Sequence, residues 1–163
     1  ALLERERFGP SILDPCCGTG AILRELPGNA WGIELDYQRA DVSRAAGLVA
    51  QQGDFLYFPE KPPQKPDAVV MNPPYSLARE FILRALEVVK DDGKVAALLR
   101  LNFLGSSRKR LDVVGPGSGL LRVWVLARRP SFTGDKKTDS CDYAWFVYRK
   151  GYGGSAFLEV VNP

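Results

Sequence analysis

Two short runs in the chain hold residue types and spacings suited to chemistry. The first, Asp14-Pro15-Cys16-Cys17-Gly18-Thr19-Gly20, follows the apolar run Ser11-Ile12-Leu13. It reads as a glycine loop at the carboxyl end of a strand, where missing side chains let backbone approach a ligand closely. Glu34 lies 20 residues after Asp14 and ends the next apolar run, Ala30-Trp31-Gly32-Ile33. An acid at that spacing holds the two hydroxyls of a ribose. Leu23 stands where a dinucleotide fingerprint needs its third glycine, and no Lys-Ser/Thr pair stands in P-loop register, so a ribose without a pyrophosphate is expected. The second run, Asn72-Pro73-Pro74-Tyr75, follows the apolar run Asp67-Ala68-Val69-Val70-Met71. Its prolines fix the backbone and remove two N–H donors. What remains is an edge of acceptors, the Asn72 side-chain oxygen and the Pro73 carbonyl, suited to a flat amino group with two hydrogens to donate. Tyr75 adds a π-face beside that edge.

Composition narrows the chemistry further. The chain has 163 residues and no histidine, which excludes Ser-His-Asp and Cys-His nucleophiles, His general bases and HExxH zinc sites. The three cysteines, Cys16, Cys17 and Cys141, form no CxxC, so free thiols in a reducing cytosol and no metal site are expected. A 45% apolar and 25% charged composition is that of a soluble globular protein, and the length fits one domain over residues 1–163. No apolar run reaches the roughly 18 residues of a membrane span. The opening ALLERERFG has no basic start followed by an apolar core, so no signal peptide and a cytoplasmic location are expected. A net charge of +3 permits a nucleic-acid partner without requiring one.

The elements that must position these residues follow from periodicity. Strand-like runs at Ser11–Asp14, Ala30–Glu34, Leu48–Ala50, Asp67–Asn72 and Val95–Leu99 alternate with helical stretches at Thr19–Leu26, Asp36–Ala46 and from Ser76 to the Asp91-Asp92-Gly93 turn. In the last helix Leu77, Phe81, Ile82, Ala85, Leu86 and Val89 share one face, with Ser76 as the expected cap. Such alternation builds right-handed βαβ units and a parallel sheet. Four prolines between Pro59 and Pro66 mark a surface loop. Leu120–Leu126 and Tyr143–Tyr148 are strand-like with no helical stretch between them, which favours antiparallel pairing. The segment between them, Ala127 to Ser140, is polar and basic and long enough to be functional.

DPCCGTG, GIE, GDF and NPPY, in this order and spacing, resemble the S-adenosylmethionine-dependent amino-methyltransferases, and most closely the small phage-type and bacterial DNA adenine-N6 methyltransferases. The segment RRPSFTGDKKTDSCDYAWFVY is similar to the C-terminal signature of the phage-type enzymes, so the resemblance runs from about Ile12 to Arg149. It implies a Rossmann-like class I methyltransferase fold: a seven-stranded, mostly parallel sheet whose last core strand is antiparallel, with helices on both faces. It implies S-adenosyl-L-methionine as cofactor, held by Asp14, Pro15, Cys16, Gly18 and Gly20 around its methionine part, by Glu34 at its ribose, and by Asp54 and Phe55 at its adenine, with Asn72 adjoining. Asn72, Pro73, Pro74 and Tyr75 would receive the target amine, and Tyr75 would stack on the target base. Phe132 is expected to clamp that base from the Ala127–Ser140 segment, with Arg128, Arg129, Lys136 and Lys137 on the nucleic-acid backbone. Arg108, Lys109 and Arg110 form a second basic run beside them.

Against that family, little chain precedes the DPCCGTG loop, and a separate target-recognition domain is not expected within 163 residues. Three other readings stay open on sequence alone: an RNA adenine or guanine amino-methyltransferase, a protein-glutamine N5-methyltransferase, and a cofactor-binding subunit without activity. The glutamine enzymes typically carry a DLGTG-like loop and an N-terminal helical domain, where this chain has DPCCGTG.

Overall fold

The computed structural model describes residues 2–57, 64–105, 107–130 and 140–162. A short helix, α1 (Leu2–Arg5), precedes β1 (Ser11–Asp14). Then come β2 (Asn29–Glu34), α2 (Tyr37–Ala45), β3 (Ala50–Gln52), β4 (Ala68–Met71), α3 (Ala78–Val88) and β5 (Lys94–Arg100). The last third holds α4 (Leu111–Val114), β6 (Leu120–Leu126), β7 (Tyr143–Arg149) and β8 (Phe157–Val161). The strands form one sheet in the order β3-β2-β1-β4-β5-β7-β6-β8.

Side-chain alternation splits the core into two faces. Leu13, Val69, Met71, Val95, Ala97, Leu99, Phe146 and Tyr148 point to the face covered by α3 and α4. Ile12, Ala68, Val70, Ala96, Trp124 and Val147 point to the other, where Leu2 of α1, Phe8, Ile22 and Leu26 pack. The central strands are apolar on both faces, as a sheet covered on both sides requires. Each large side chain buried here contributes about 1.5–3 kcal/mol.

Most expected elements stand within a residue or two of their predicted ends. Asp36 caps α2, its side chain accepting from the Arg39 N–H at 3.0 Å. β7 is antiparallel to both of its neighbours, and every other strand pair is parallel.

Four expectations are corrected. The sheet has eight strands, not seven. The additional β8 lies beyond the expected end of the fold and pairs parallel with β6, so the antiparallel strand is the penultimate one. β8 buries only Val161, so its sequence has no alternating pattern to announce it. The expected helix over Thr19–Leu26 shrinks to turns and one 3-10 turn, Leu23–Glu25, because Gly18 and Gly20 take left-handed backbone at φ 55° and 87°. Helical cover on the second face is correspondingly thin. The third strand starts at Ala50 rather than Leu48. Ser76 does not cap α3, because Tyr75–Leu77 form a 3-10 turn that runs straight into it, leaving Leu77 at the cap position with no side-chain bond.

Candidate active site

The strand order reverses between β1 and β4, the switch point at which open α/β sheets bind ligands outside the strands' carboxyl ends. Four adjacent strands end there on the residues singled out above. β1 ends on Asp14, β2 on Glu34, β3 runs into Gly53-Asp54-Phe55, and β4 into Asn72-Pro73-Pro74-Tyr75. A cleft of about 510 Å³ joins them, lined by Pro15, Cys16, Gly18, Glu34, Asp54, Phe55 and the whole Asn72–Tyr75 run. That volume is in the range of about 300–1,000 Å³ usual for sites that enclose a small molecule.

Glu34 organises the cleft's first wall. Its side chain is 8% exposed, and its two oxygens accept from the Gly18 N–H at 2.7 Å and the Asp36 N–H at 2.9 Å. One carboxylate thus ties the glycine loop to the start of α2. About four lone-pair sites on a carboxylate leave room for further donors such as a pair of hydroxyls. The loop is pinned from below as the Cys17 N–H bonds the Ile33 carbonyl at 3.0 Å. At Gly18 a Cβ would meet no heavy atom within 4 Å, so this glycine is required by its left-handed backbone and faces open space. At Gly20 a Cβ would lie 2.2 Å from Leu48 Cδ1, so that glycine serves close packing beneath the loop rather than the cleft itself.

Asp14 is buried under the loop and does not line the cleft. Burial pushes its carboxyl up to about 7, the nearby Glu34 charge adds to the shift, and the Cys16 N–H, which donates to it at 3.2 Å, offsets part of it. Burial, with Asp14 and Glu34 close by, also pushes the Cys16 thiol well up and the Cys17 thiol up to about 12. Both thiols are protonated at neutral pH and are not nucleophiles. Among the described residues no three His, Cys, Asp or Glu side chains cluster closely enough to hold a metal ion.

Asp54 closes an Asx turn, its Oδ1 accepting from the Leu56 N–H at 3.0 Å. Phe55 lines the cleft but is only 4% exposed, its ring packed on Phe81 at 5.5 Å between centroids. It forms a floor more than a free stacking face. Sequence reasoning missed Leu35, 64% exposed, and Tyr57, 81% exposed, which also line the cleft. The only sequence signal for Leu35 is an apolar residue between a strand-end acid and a helix cap, where no periodicity would bury it.

Beyond the prolines, among the described residues, neither the Asn72 side-chain amide nor the Pro73 carbonyl has a hydrogen-bond partner, whereas the Pro74 carbonyl accepts from the Leu77 N–H at 2.9 Å. The Tyr75 hydroxyl donates to that of Tyr143 at 3.2 Å, and the Arg100 guanidinium lies 4.8 Å from the Tyr75 ring centroid. Arg100 and Tyr143 are direct partners across β5 and β7, so the antiparallel register sets both beside Tyr75. Neither was singled out from the sequence, because the pairing joins residues far apart in the chain.

The basic segment is only partly described. Arg128 and Arg129 are exposed and do not line the cleft, and Arg129 donates to Asp142 Oδ1 at 3.0 Å. Phe132, Lys136 and Lys137 lie outside the described residues.

No protein-family model matches the chain, and no curated protein matches it. Solved structures do. A Listeria monocytogenes protein assigned to the class I S-adenosylmethionine-dependent methyltransferases superposes with a TM-score of 0.71 at 15% identity, over 96% of this chain and 60% of that one. The chain shares that fold. The M protein of the type I restriction enzyme EcoKI gives 0.72 at 15% identity, over 98% of this chain and 46% of its own. An Agrobacterium tumefaciens protein assigned as an O-methyltransferase gives 0.64 at 18%, over 98% and 82%. The chain thus spans 60% of the length of the first of these and less than half of the M protein. Three neighbours with such different descriptions share one architecture, so the acceptor must be argued from the site.

Proposed function

We propose that the chain is an S-adenosylmethionine-dependent methyltransferase that acts on an exocyclic amino nitrogen, with N6 of adenine in DNA as its acceptor. The observation that carries the reading is the pair of unpartnered acceptors at Asn72 and Pro73, set on the same cleft as the Glu34 carboxylate and the Gly18 loop.

The residues present fit the cofactor. Glu34 has lone pairs left for ribose hydroxyls, Gly18 leaves open space for the methionine part, and Leu35, Phe55 and Tyr57 offer apolar surface for an adenine ring. S-adenosylmethionine, when bound, supplies an already activated methyl group, so the site needs no histidine. The chain's own task is to prepare the amine. An exocyclic amine is a poor nucleophile because its lone pair is delocalised into the ring. Asn72 and Pro73 accept its two hydrogens out of the ring plane, which favours a pyramidal nitrogen and frees the lone pair. That interaction strengthens toward the transition state, so it raises turnover more than binding. Holding the amine in line supplies much of the remaining acceleration. Tyr75 stacks on the base, its hydroxyl and ring held by Tyr143 and Arg100. A base inside a duplex cannot reach this cleft and must be flipped out, and stacking on Tyr75 offsets part of that cost.

DNA as substrate class is supported by the motif resemblance and by the likeness to the EcoKI M protein. The test is transfer of labelled methyl to DNA, RNA and a glutamine-containing protein in parallel. Label is expected in DNA as N6-methyladenine, and label in the protein alone would contradict the reading.

A further inference from the structure

On its far side, Tyr75 opens onto a second cleft, of about 450 Å³, lined by Ser76, Arg79, Glu80, Phe103, Ser107, Lys109 and Arg110. A smaller cavity of about 150 Å³ continues it past Arg100 and Asn102, again sharing Tyr75, Phe103 and Arg110. The charges there are unequal. Arg79 is neutralised by a forked pair with Asp112, with Glu80 at 3.8 Å. The run Arg108–Arg110 is not: among the described residues none of its three side chains is in an ion pair. The run also has a defined local geometry. It forms a 3-10 turn capped by Ser107, whose Oγ accepts from the Lys109 N–H at 3.3 Å, leaving the hydroxyl hydrogen to donate. The Arg110 guanidinium stacks on Phe103 at 4.7 Å and donates to the Gly105 carbonyl.

We infer that this second cleft seats the phosphodiester backbone flanking the target nucleotide, with Lys109 and Arg110 of its lining, and Arg108 exposed beside them on the same turn, as the phosphate contacts and Tyr75 as the partition between backbone and cofactor. The inference rests on the proposed amine site and adds to it the route of the strand. A nucleotide whose base lies against Tyr75 keeps its own phosphates within one nucleotide's reach, so the backbone must cross one of the walls beside that residue. The first cleft presents two carboxylates, Glu34 and Asp54, which repel phosphate, against one cation, Arg39. The second presents Lys109 and Arg110, neither in an ion pair among the described residues, with two serine hydroxyls, and its one carboxylate, Glu80, lies beside Arg79. Guanidinium and ammonium groups at such a wall release counterions when a strand binds, and the number released is measurable.

The test is a fluorescence-anisotropy titration of a short fluorescein-labelled adenine-containing duplex across a salt series, with the wild-type chain and the double variant Arg108→Gln/Lys109→Gln. Both residues are exposed, so the variant is expected to keep the wild-type melting temperature. Its affinity should fall about tenfold at low salt, and the slope of log affinity against log salt should drop by roughly 1.8, about 0.9 for each lost phosphate contact. S-adenosylmethionine affinity by calorimetry should be unchanged. A control pair of equal charge loss, Arg7→Gln/Lys65→Gln, lies before the amino ends of β1 and β4 and should leave the slope in place. An unchanged slope in the Arg108/Lys109 variant overturns the inference even if adenine methylation is intact. Equal binding of a polyglutamate peptide overturns it as well, since the cleft would then read charge without a nucleic-acid backbone. If the wild type binds no S-adenosylmethionine, the amine-site reading fails, while the duplex titration still decides which wall the strand uses.

Discussion

Two buried carboxylates stand at the cleft, Glu34 in its wall and Asp14 beneath its loop. Glu34 already holds two backbone N–H groups, so Glu34→Ala removes support for the loop together with the proposed ribose contact. Hydrogen bonds to a charged group are worth about 1.5–3 kcal/mol each, so cofactor affinity should fall at least tenfold by calorimetry. Unchanged affinity would place the ribose elsewhere. Asp14 sets a pH dependence. Its folded-state carboxyl titrates near 7, above the ordinary 3.8, so below 7 the cofactor-free chain carries it protonated. A ligand bearing sulfonium and ammonium charge favours the ionised form, and binding then releases a proton. Cofactor affinity should therefore rise as pH climbs toward about 7 and level off above it, and Asp14→Asn should flatten that rise. The same shift makes folding stability decline as pH rises from about 4 to about 7, because the folded chain holds the proton more tightly than the unfolded one. A pH-independent affinity in the wild type would contradict this role. Both acids were legible in the sequence because each ends an apolar strand run, Asp14 opening the contiguous glycine loop and Glu34 standing 20 residues further on. Leu35 and Tyr57 were not, since their place in the cleft depends on how β2 and β3 end side by side.

At the scale of elements, β7 and α1 do most of the positioning that the sequence left hidden. The Val, Trp, Phe and Tyr content of β6 and β7 announced strands, and the absent helix between them announced antiparallel pairing. Insertion of β7 between β5 and β6 is a long-range choice, and it is this choice that brings Tyr143 beside Arg100 and Tyr75. The Thr19–Leu26 stretch has helical composition, yet two left-handed glycines, Gly18 just before it and Gly20 within it, override that preference. The N-terminal segment is fixed by a buried acid. Glu6 accepts from Lys94 Nζ at 2.6 Å, Arg122 at 3.0 Å and Trp124 Nε1 at 3.0 Å, which fastens the chain after α1 to β5 and β6. Lys94 and Arg122 are partly exposed and regain water when the acid is removed, which limits the loss. Glu6→Ala should destabilise the fold by about 2 kcal/mol, a drop of roughly 4–8 °C in Tm by thermal melting. A melting temperature within a degree of wild type would mean that α1 is not fastened by this carboxylate.

For the molecule as a whole, the sheet's switch point gathers four strand ends into one cleft, and Tyr75 stands between that cleft and a basic one. Among the described residues no helix is long and apolar enough to cross a membrane. On the proposed reading, the cofactor lies on one side of Tyr75 and a polyanion on the other, with the amine meeting the methyl at Asn72 and Pro73. The most direct measurement of that account separates binding from turnover in Asn72→Ala. The variant and the wild type are titrated with S-adenosylmethionine by calorimetry and assayed for N6-methyladenine in digested DNA by mass spectrometry. The account predicts cofactor affinity within about twofold of wild type and turnover lower by at least a hundredfold, the size of effect seen when one positioned transition-state contact is removed. Near-full methylation by the variant, or no N6-methyladenine from the wild type, would contradict it.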